Sequence, residues 1–205
     1  MTSLESRKSV LERTTRETSI SLSINLDGLG QSTVSTGNGM LDHLISQISR
    51  HGLIDITLNA KGDVDVGWHH LVEDTAICLG RALREAMGDG KGIHRMGHAF
   101  VPLDESLALV AVDLSGRGYA EIDCGLQNQM VETLPGEMVS HFLESFALEA
   151  KINLHAKILT GQNAHHKAES TFKALAKALR SALERDGRSP NTIPSTKGTI
   201  NNQNV

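Results

Sequence analysis

Between Ile20 and Leu26 the chain alternates: Ile20, Leu22, Ile24 and Leu26 are interleaved with Ser21, Ser23 and Asn25, the period-two pattern of a strand with one buried face. Asp27-Gly28-Leu29-Gly30 then supplies turn chemistry, and Gln31 to Thr36 reads as the return strand of a hairpin. At Gly39 the period changes. Met40, Leu41, Leu44, Ile45 and Ile48 recur at helical spacing, and Gly52 stands where a helix C-terminal glycine belongs. Ile54, Ile56 and Leu58 alternate again, and a second helix is predicted over His69 to Met87 with Val72, Ala76, Leu79 and Leu83 inward. The first half therefore reads ββαβα.

The second half repeats that order, with strands over Leu107 to Leu114, Tyr119 to Ile122 and Ile152 to Leu159, and helices over Glu137 to Ala150 and His166 to Leu183. The expected fold class is α/β (α+β), two duplicated ββαβα halves, each a small mixed sheet with helices packed on one face. Neither half buries much alone, so the helix layers are expected to pack against each other around a shared core. The sequence divides into a first repeat, 1–92, a second repeat, 93–187, and a polar, asparagine-rich tail, 188–205.

With 39% hydrophobic and 21% charged residues among 205, the chain has the composition of a soluble globular protein. A formal net charge of −4 gives no electrostatic footprint for nucleic acid or an anionic membrane, and neither is expected as a partner. No apolar run reaches the roughly 20 residues of a membrane span. Met1 to Thr18 is polar and lacks a signal-peptide core, so the expected location is cytoplasmic. Cys78 and Cys124 make no disulfide framework and are expected to be small buried side chains.

Histidine changes the picture. There are ten, beside four Phe, one Trp and one Tyr, and two pairs sit in repeated HHxxE segments, His69-His70-Leu71-Val72-Glu73 and His165-His166-Lys167-Ala168-Glu169. His43 precedes the first pair by 26 residues and His141 precedes the second by 24, so the chemistry is duplicated along with the elements. On a helix the glutamate shares a face with a histidine three or four residues earlier. Adjacent histidines point about 100° apart, which suits sending them to different ions. Six imidazoles and two carboxylates divide into three His and one Glu per ion, a set that favours Mn, Fe, Zn or Ni over Mg or Ca. One HHxxE alone is more often solvated or core histidine than a ligand pair; the second copy shifts the balance to metal. His51, His94, His98 and His155 lack such companions and read as structural or surface residues. A ferritin-like di-iron bundle is disfavoured by the strands.

These segments, with RTTRET (Arg13 to Thr18), LDGLG (Leu26 to Gly30), GMLDHL (Gly39 to Leu44), VPLDESLA (Val101 to Ala108), SGR (Ser115 to Arg117), FKALAKALR (Phe172 to Arg180) and PSTKG (Pro194 to Gly198), resemble the imidazoleglycerol-phosphate dehydratase family over nearly the whole chain. The resemblance implies loss of water from a small phosphorylated imidazole substrate, imidazole glycerol phosphate, to give imidazole acetol phosphate in histidine biosynthesis. It implies two Mn2+ per active site and a homo-oligomer of 24 subunits. Carried over by position, one ion takes His69, His141, His165 and Glu169, and the other His43, His70, Glu73 and His166. An imidazole bound at both nitrogens can expel a neighbouring hydroxyl through a diazafulvene-like intermediate, which acidifies the carbon proton. The resemblance assigns that proton to Glu17. Arg95, Arg117, Ser195 and Lys197 match the phosphate-binding positions, which implies order through PSTKG, and Gln47 and Asp104 are expected near the ligands or the substrate.

Trp68 and Leu71 before and within the first HHxxE, and Gly118 after SGR, depart from the family pattern, so pocket shape and turnover are where this chain is expected to differ. Two other classes compete: a drifted binuclear relative with another phosphorylated substrate, and a metal-bearing shell protein without catalysis. Glu17 together with the phosphate set argues against the second.

Overall fold

The computed structural model describes residues 6–200; residues 1–5 and 201–205, the outer ends of the first repeat and of the tail, lie outside the described residues. The first half runs β1 (Lys8–Thr14), β2 (Thr18–Asn25), β3 (Ser32–Ser35), α1 (Gly39–Gly52), β4 (Asp55–Gly62) and α2 (His69–Met87). The second runs β5 (Met96–Leu103), β6 (Ser106–Asp113), β7 (Tyr119–Asp123), a short hairpin β8 (Met130–Val131) and β9 (Leu134–Pro135), α3 (Gly136–Ala150), β10 (Asn153–Thr160) and α4 (Ala164–Leu183). The sheets have the same order, β1-β2-β4-β3 and β5-β6-β10-β7. In both, the third strand in that list is antiparallel to the second and parallel to the last. Identical topology in two halves with matching chemistry is the structural form of the duplication.

Each four-stranded sheet thus holds one strand more than ββαβα supplies, and the second half adds the β8–β9 hairpin. The pattern hides β1 because two of its three inward positions are polar: Ser9 and Arg13 flank Leu11, Ser9 Oγ donates to Glu85 and Arg13 pairs with Asp74, while Val10 is exposed. It hides β5 because alternation is weak there: Met96 and Phe100 point outward beside His98, and Gly97 lies against α4. The expected β2–β3 hairpin is also corrected. Asp55 Oδ1 accepts from the N–H groups of Leu29 and Gln31, and Ile56 N–H donates to Gln31 O. The connection is drawn past β2 to the far side of β4, where β3 pairs in parallel; the true hairpin partner of β2 is β1. The left-handed residue ending α1 is Leu53, not Gly52, which instead sits close to the Ala176 carbonyl of α4.

All four helices lie between the sheets. α2 rests on β1 and β2, α4 on β5 and β6; across the middle α2 packs on α3 and α1 on α4. Leu44, Ile45, Ile48, Phe142, Phe146 and Phe172 are buried in one continuous apolar core spanning both halves, as the shared-core expectation requires. Cys78 and Cys124 are buried free thiols, each pushed up to about 11 by burial.

Candidate metal centre

Each of the eight histidine and glutamate positions singled out by spacing lies in the first two turns of its helix. Helix pairing decides which meet. Because α1 packs on α4, His43 Nε2 stands 3.0 Å from Glu169 Oε2, which is 2.9 Å from His165 Nε2. Because α2 packs on α3, His69 and His141 stack with ring centroids 4.4 Å apart, and His141 Nε2 is 3.5 Å from Glu73 Oε1. The result is two triads, His43/His165/Glu169 and His69/Glu73/His141, each with ligand atoms within 4.8 Å of one another and each drawing on both halves.

Within one chain this grouping differs from the ion-by-ion set that the resemblance implies, in which His165 and Glu169 go with His69 and His141 and different subunits can supply the ligands. Among the described residues of one chain those two pairs lie in different triads. His70 and His166 join neither. The His69 and His70 rings meet at 86°, and those of His165 and His166 at 90°, so neighbours in sequence diverge as helix geometry demands.

The residues fit a divalent cation. His141 Nε2 is buried and makes no hydrogen bond, a polar atom left without a partner 3.5 Å from Glu73 Oε1. Three other rings have Nδ1 engaged by a carboxylate: His70 by Asp63 at 3.0 Å, His165 by Glu132 at 3.3 Å and His166 by Glu105 at 2.7 Å. That arrangement leaves Nε2 available as a ligand atom. Partial burial pushes the Glu169 carboxyl up, but Lys173 Nζ at 2.7 Å together with His43 and His165 holds it at about 2. It is therefore charged wherever a metal would bind.

Glu17 sits in the β1–β2 turn with Oε1 3.9 Å from His70 Nε2, and it is more than half exposed. Thr15 Oγ1 accepts from the N–H groups of Glu17 and Thr18, shaping the turn. Thr18 Oγ1 donates to Asp74 and Arg13 pairs with the same carboxylate, so RTTRET is fastened to α2 directly behind the first HHxxE. Asp104 occupies the matching β5–β6 turn, 3.7 Å from His166 Nε2. Gln47 Nε2 lies 3.5 Å from His43 Nε2. Trp68 precedes α2 and packs partly buried on the core, and Leu71 is fully buried.

The phosphate candidates gather elsewhere. Arg95 donates to Asp113 at 2.7 and 3.0 Å and to the Pro194 carbonyl at 2.8 Å, anchoring the PSTKG turn, in which Lys197 N–H donates to Ser195 Oγ. Arg117 is exposed in the turn after β6, at the same end. Arg95 N–H donates to Ala182 O at the far end of α4, and the sixteen-residue rise from His166 to Ala182 separates the two by about 24 Å. The structure does not bring this set to the His43 triad of its own chain.

Reasoning from the sequence missed the three turn-borne carboxylates Asp63, Glu105 and Glu132. Glu105 was visible inside VPLDESLA, but nothing in its spacing tied it to a histidine 61 positions away.

A family model described as Imidazoleglycerol-phosphate dehydratase matches residues 36–179. A protein of that name from Dehalococcoides mccartyi is 53% identical over 96% of this chain and 98% of its own length. Among solved structures, the imidazoleglycerol-phosphate dehydratase of Staphylococcus aureus is similar at a TM-score of 0.78 and 33% identity, covering 87% of this chain and 99% of that one. IGPD from Pyrococcus furiosus gives 0.77 at 33% identity over 92% and 99%.

Proposed function

The chain belongs to the imidazoleglycerol-phosphate dehydratase family, the hydro-lyases of histidine biosynthesis, and on that premise we propose that it dehydrates imidazole glycerol phosphate using two Mn2+ ions per active site. The observation that carries the metal reading is the pair of triads, each two imidazoles and a carboxylate, one with a buried nitrogen left without a hydrogen bond. His43, His69, His70, Glu73, His141, His165, His166 and Glu169 are the proposed ligands. His70 and His166, which diverge from the triads of their own chain, are available to ions shared with another copy.

Bound divalent ions would supply Lewis-acid polarisation of the substrate's imidazole ring and a template for its orientation. The protein's own residues do the rest. Glu17, more than half exposed and beside His70, takes the proton from one substrate carbon; the hydroxyl on the neighbouring carbon leaves with a proton as water, and the enol so formed becomes the ketone. Gln47 and Asp104 border the ligands and face the substrate. Arg117, Lys197 and Ser195 receive the phosphate, with the two N–H groups of Arg95 not used by Asp113 and Pro194.

The roughly 24 Å between His166 and the Arg95 end of α4 is far more than a three-carbon chain bearing an imidazole and a phosphate can span. That separation supports a homo-oligomer, 24 subunits by resemblance, in which one copy supplies metal ligands and another the phosphate site. We place the enzyme in the cytoplasm, with no nucleic acid or membrane partner; among the described residues no helix is long and apolar enough to cross a membrane. Glu17→Gln tests the assignment of the base. Turnover should fall by at least about 100-fold while Mn2+ stoichiometry and assembly are unchanged. Near-normal turnover would remove Glu17 from the mechanism.

A further inference from the structure

The second histidine of each HHxxE segment is held from outside its helix. Asp63, just after β4, has both carboxylate oxygens on His70 Nδ1, at 3.1 and 3.0 Å. In the other half Glu105, in the β5–β6 turn, reaches His166 Nδ1 with Oε2 at 2.7 Å. Its other oxygen accepts from the N–H groups of Asn163 at 2.8 Å and Gln162 at 3.2 Å. One carboxylate therefore fixes both the imidazole and the loop that starts its helix. Gly161 makes this approach possible: at φ +147 it is in a region that side chains disfavour, and a Cβ there would lie 2.3 Å from Ser106 Oγ.

We propose that Asp63 and Glu105 are positioning residues that hold His70 and His166 in the tautomer with hydrogen on Nδ1, so that Nε2 presents a lone pair to a divalent cation. A carboxylate can only accept, so the ring nitrogen facing it must carry the hydrogen. In neutral imidazole the other nitrogen is then the ligand atom. The duplicated halves reach this arrangement from different places, a loop after β4 in one and a hairpin turn in the other. The fold thus supplies one acceptor per histidine without a shared sequence motif. The proposal rests on His70 and His166 being metal ligands.

Glu105→Gln is the discriminating variant. Glutamine's oxygen can still accept from Asn163 and Gln162, which preserves the loop. Its amide nitrogen then donates to Nδ1 and moves the ring hydrogen onto Nε2, the wrong nitrogen for binding. At mildly alkaline pH, above the raised His166 value, Mn2+ titrated into chelator-stripped full-length protein should bind about 10- to 100-fold more weakly in this variant, with the thermal midpoint of the metal-free protein unchanged. The double variant with His166→Ala should bind no more weakly than His166→Ala alone, because Glu105 acts through that ring. Wild-type affinity in Glu105→Gln, additive losses, or a loss matched by a fall in the metal-free midpoint would each overturn the proposal. Unchanged binding in His166→Ala would instead show that the ligand assignment itself fails. Should Glu105→Gln not fold, Asp63→Asn decides the question, because His70 is the hydrogen-bond partner of that carboxylate.

Discussion

A proton and a divalent ion compete for the same imidazole nitrogen, so acidity and metal affinity are linked at every histidine of the site. The Asp63 hydrogen bond raises His70 above its ordinary 6.5, and Glu105 does the same for His166. In the metal-free chain both rings keep a second proton to higher pH than a free imidazole would. Mn2+ affinity should therefore weaken as pH falls, and the weakening should begin above 6.5; calorimetric titrations from mildly alkaline to mildly acidic pH measure it, and affinity constant down through 6.5 would contradict it. For the metal-free fold the sign is opposite. The two His–carboxylate contacts stabilise it fully below 6.5 and cease to do so as pH rises through the raised values. At this scale the helical face shared by each glutamate and a histidine of its HHxxE segment was legible because a helix converts spacing directly into a shared face. Asp63, Glu105 and Glu132 were not, because a side chain on a turn meets its partner only through tertiary approach.

The triads exist because two helix pairs come close, and glycine sets how close. A Cβ at Gly80 would stand 2.5 Å from the Phe146 carbonyl and 2.9 Å from Ala150 N, so α2 and α3 touch backbone to backbone. In an isolated helix Gly80→Ala would gain up to about 1 kcal/mol of propensity. Here the overlap dominates and a net loss of about 1–3 kcal/mol is expected on chemical denaturation. Pushing α2 from α3 also parts His69 and Glu73 from His141, so Mn2+ bound at that triad should be lost before the other. Unaltered stability together with full stoichiometry would show that the contact does not set the triad. The helices and the inner strands β2, β4, β6 and β10 were readable because one face of each is apolar. The strands β1 and β5 were not: polar Ser9 and Arg13 point inward on the first, and apolar Met96 and Phe100 point outward on the second. The destination of β3 was set by the Asp55 carboxylate, a contact that alternation cannot express.

For the whole molecule, the proposed function combined with the distance along α4 has the metal ligands and phosphate donors of one active site come from different copies. Two inactive variants can then repair each other. His166→Ala damages the metal side and Arg117→Ala the phosphate side, and each alone should be nearly inactive. Co-assembled oligomers should regain measurable turnover, because some sites combine the intact half of each. Failure of mixed assemblies to recover any activity would place both halves in one copy. The duplication was legible from the spacing of His43, His141 and the two pairs, and the matching sheet orders bear it out. The separation of the two functional ends was not, since it depends on Arg95 meeting the last turn of α4.

The central claim is that these triads bind the ions that make dehydration possible. The most direct test follows formation of the ketone from imidazole glycerol phosphate by chelator-stripped protein as Mn2+ is added back. Turnover should be absent without metal and rise to saturation as the two proposed ions per site are filled. Ketone formation at full rate in the stripped protein, or stoichiometric Mn2+ binding with no product, would contradict the account.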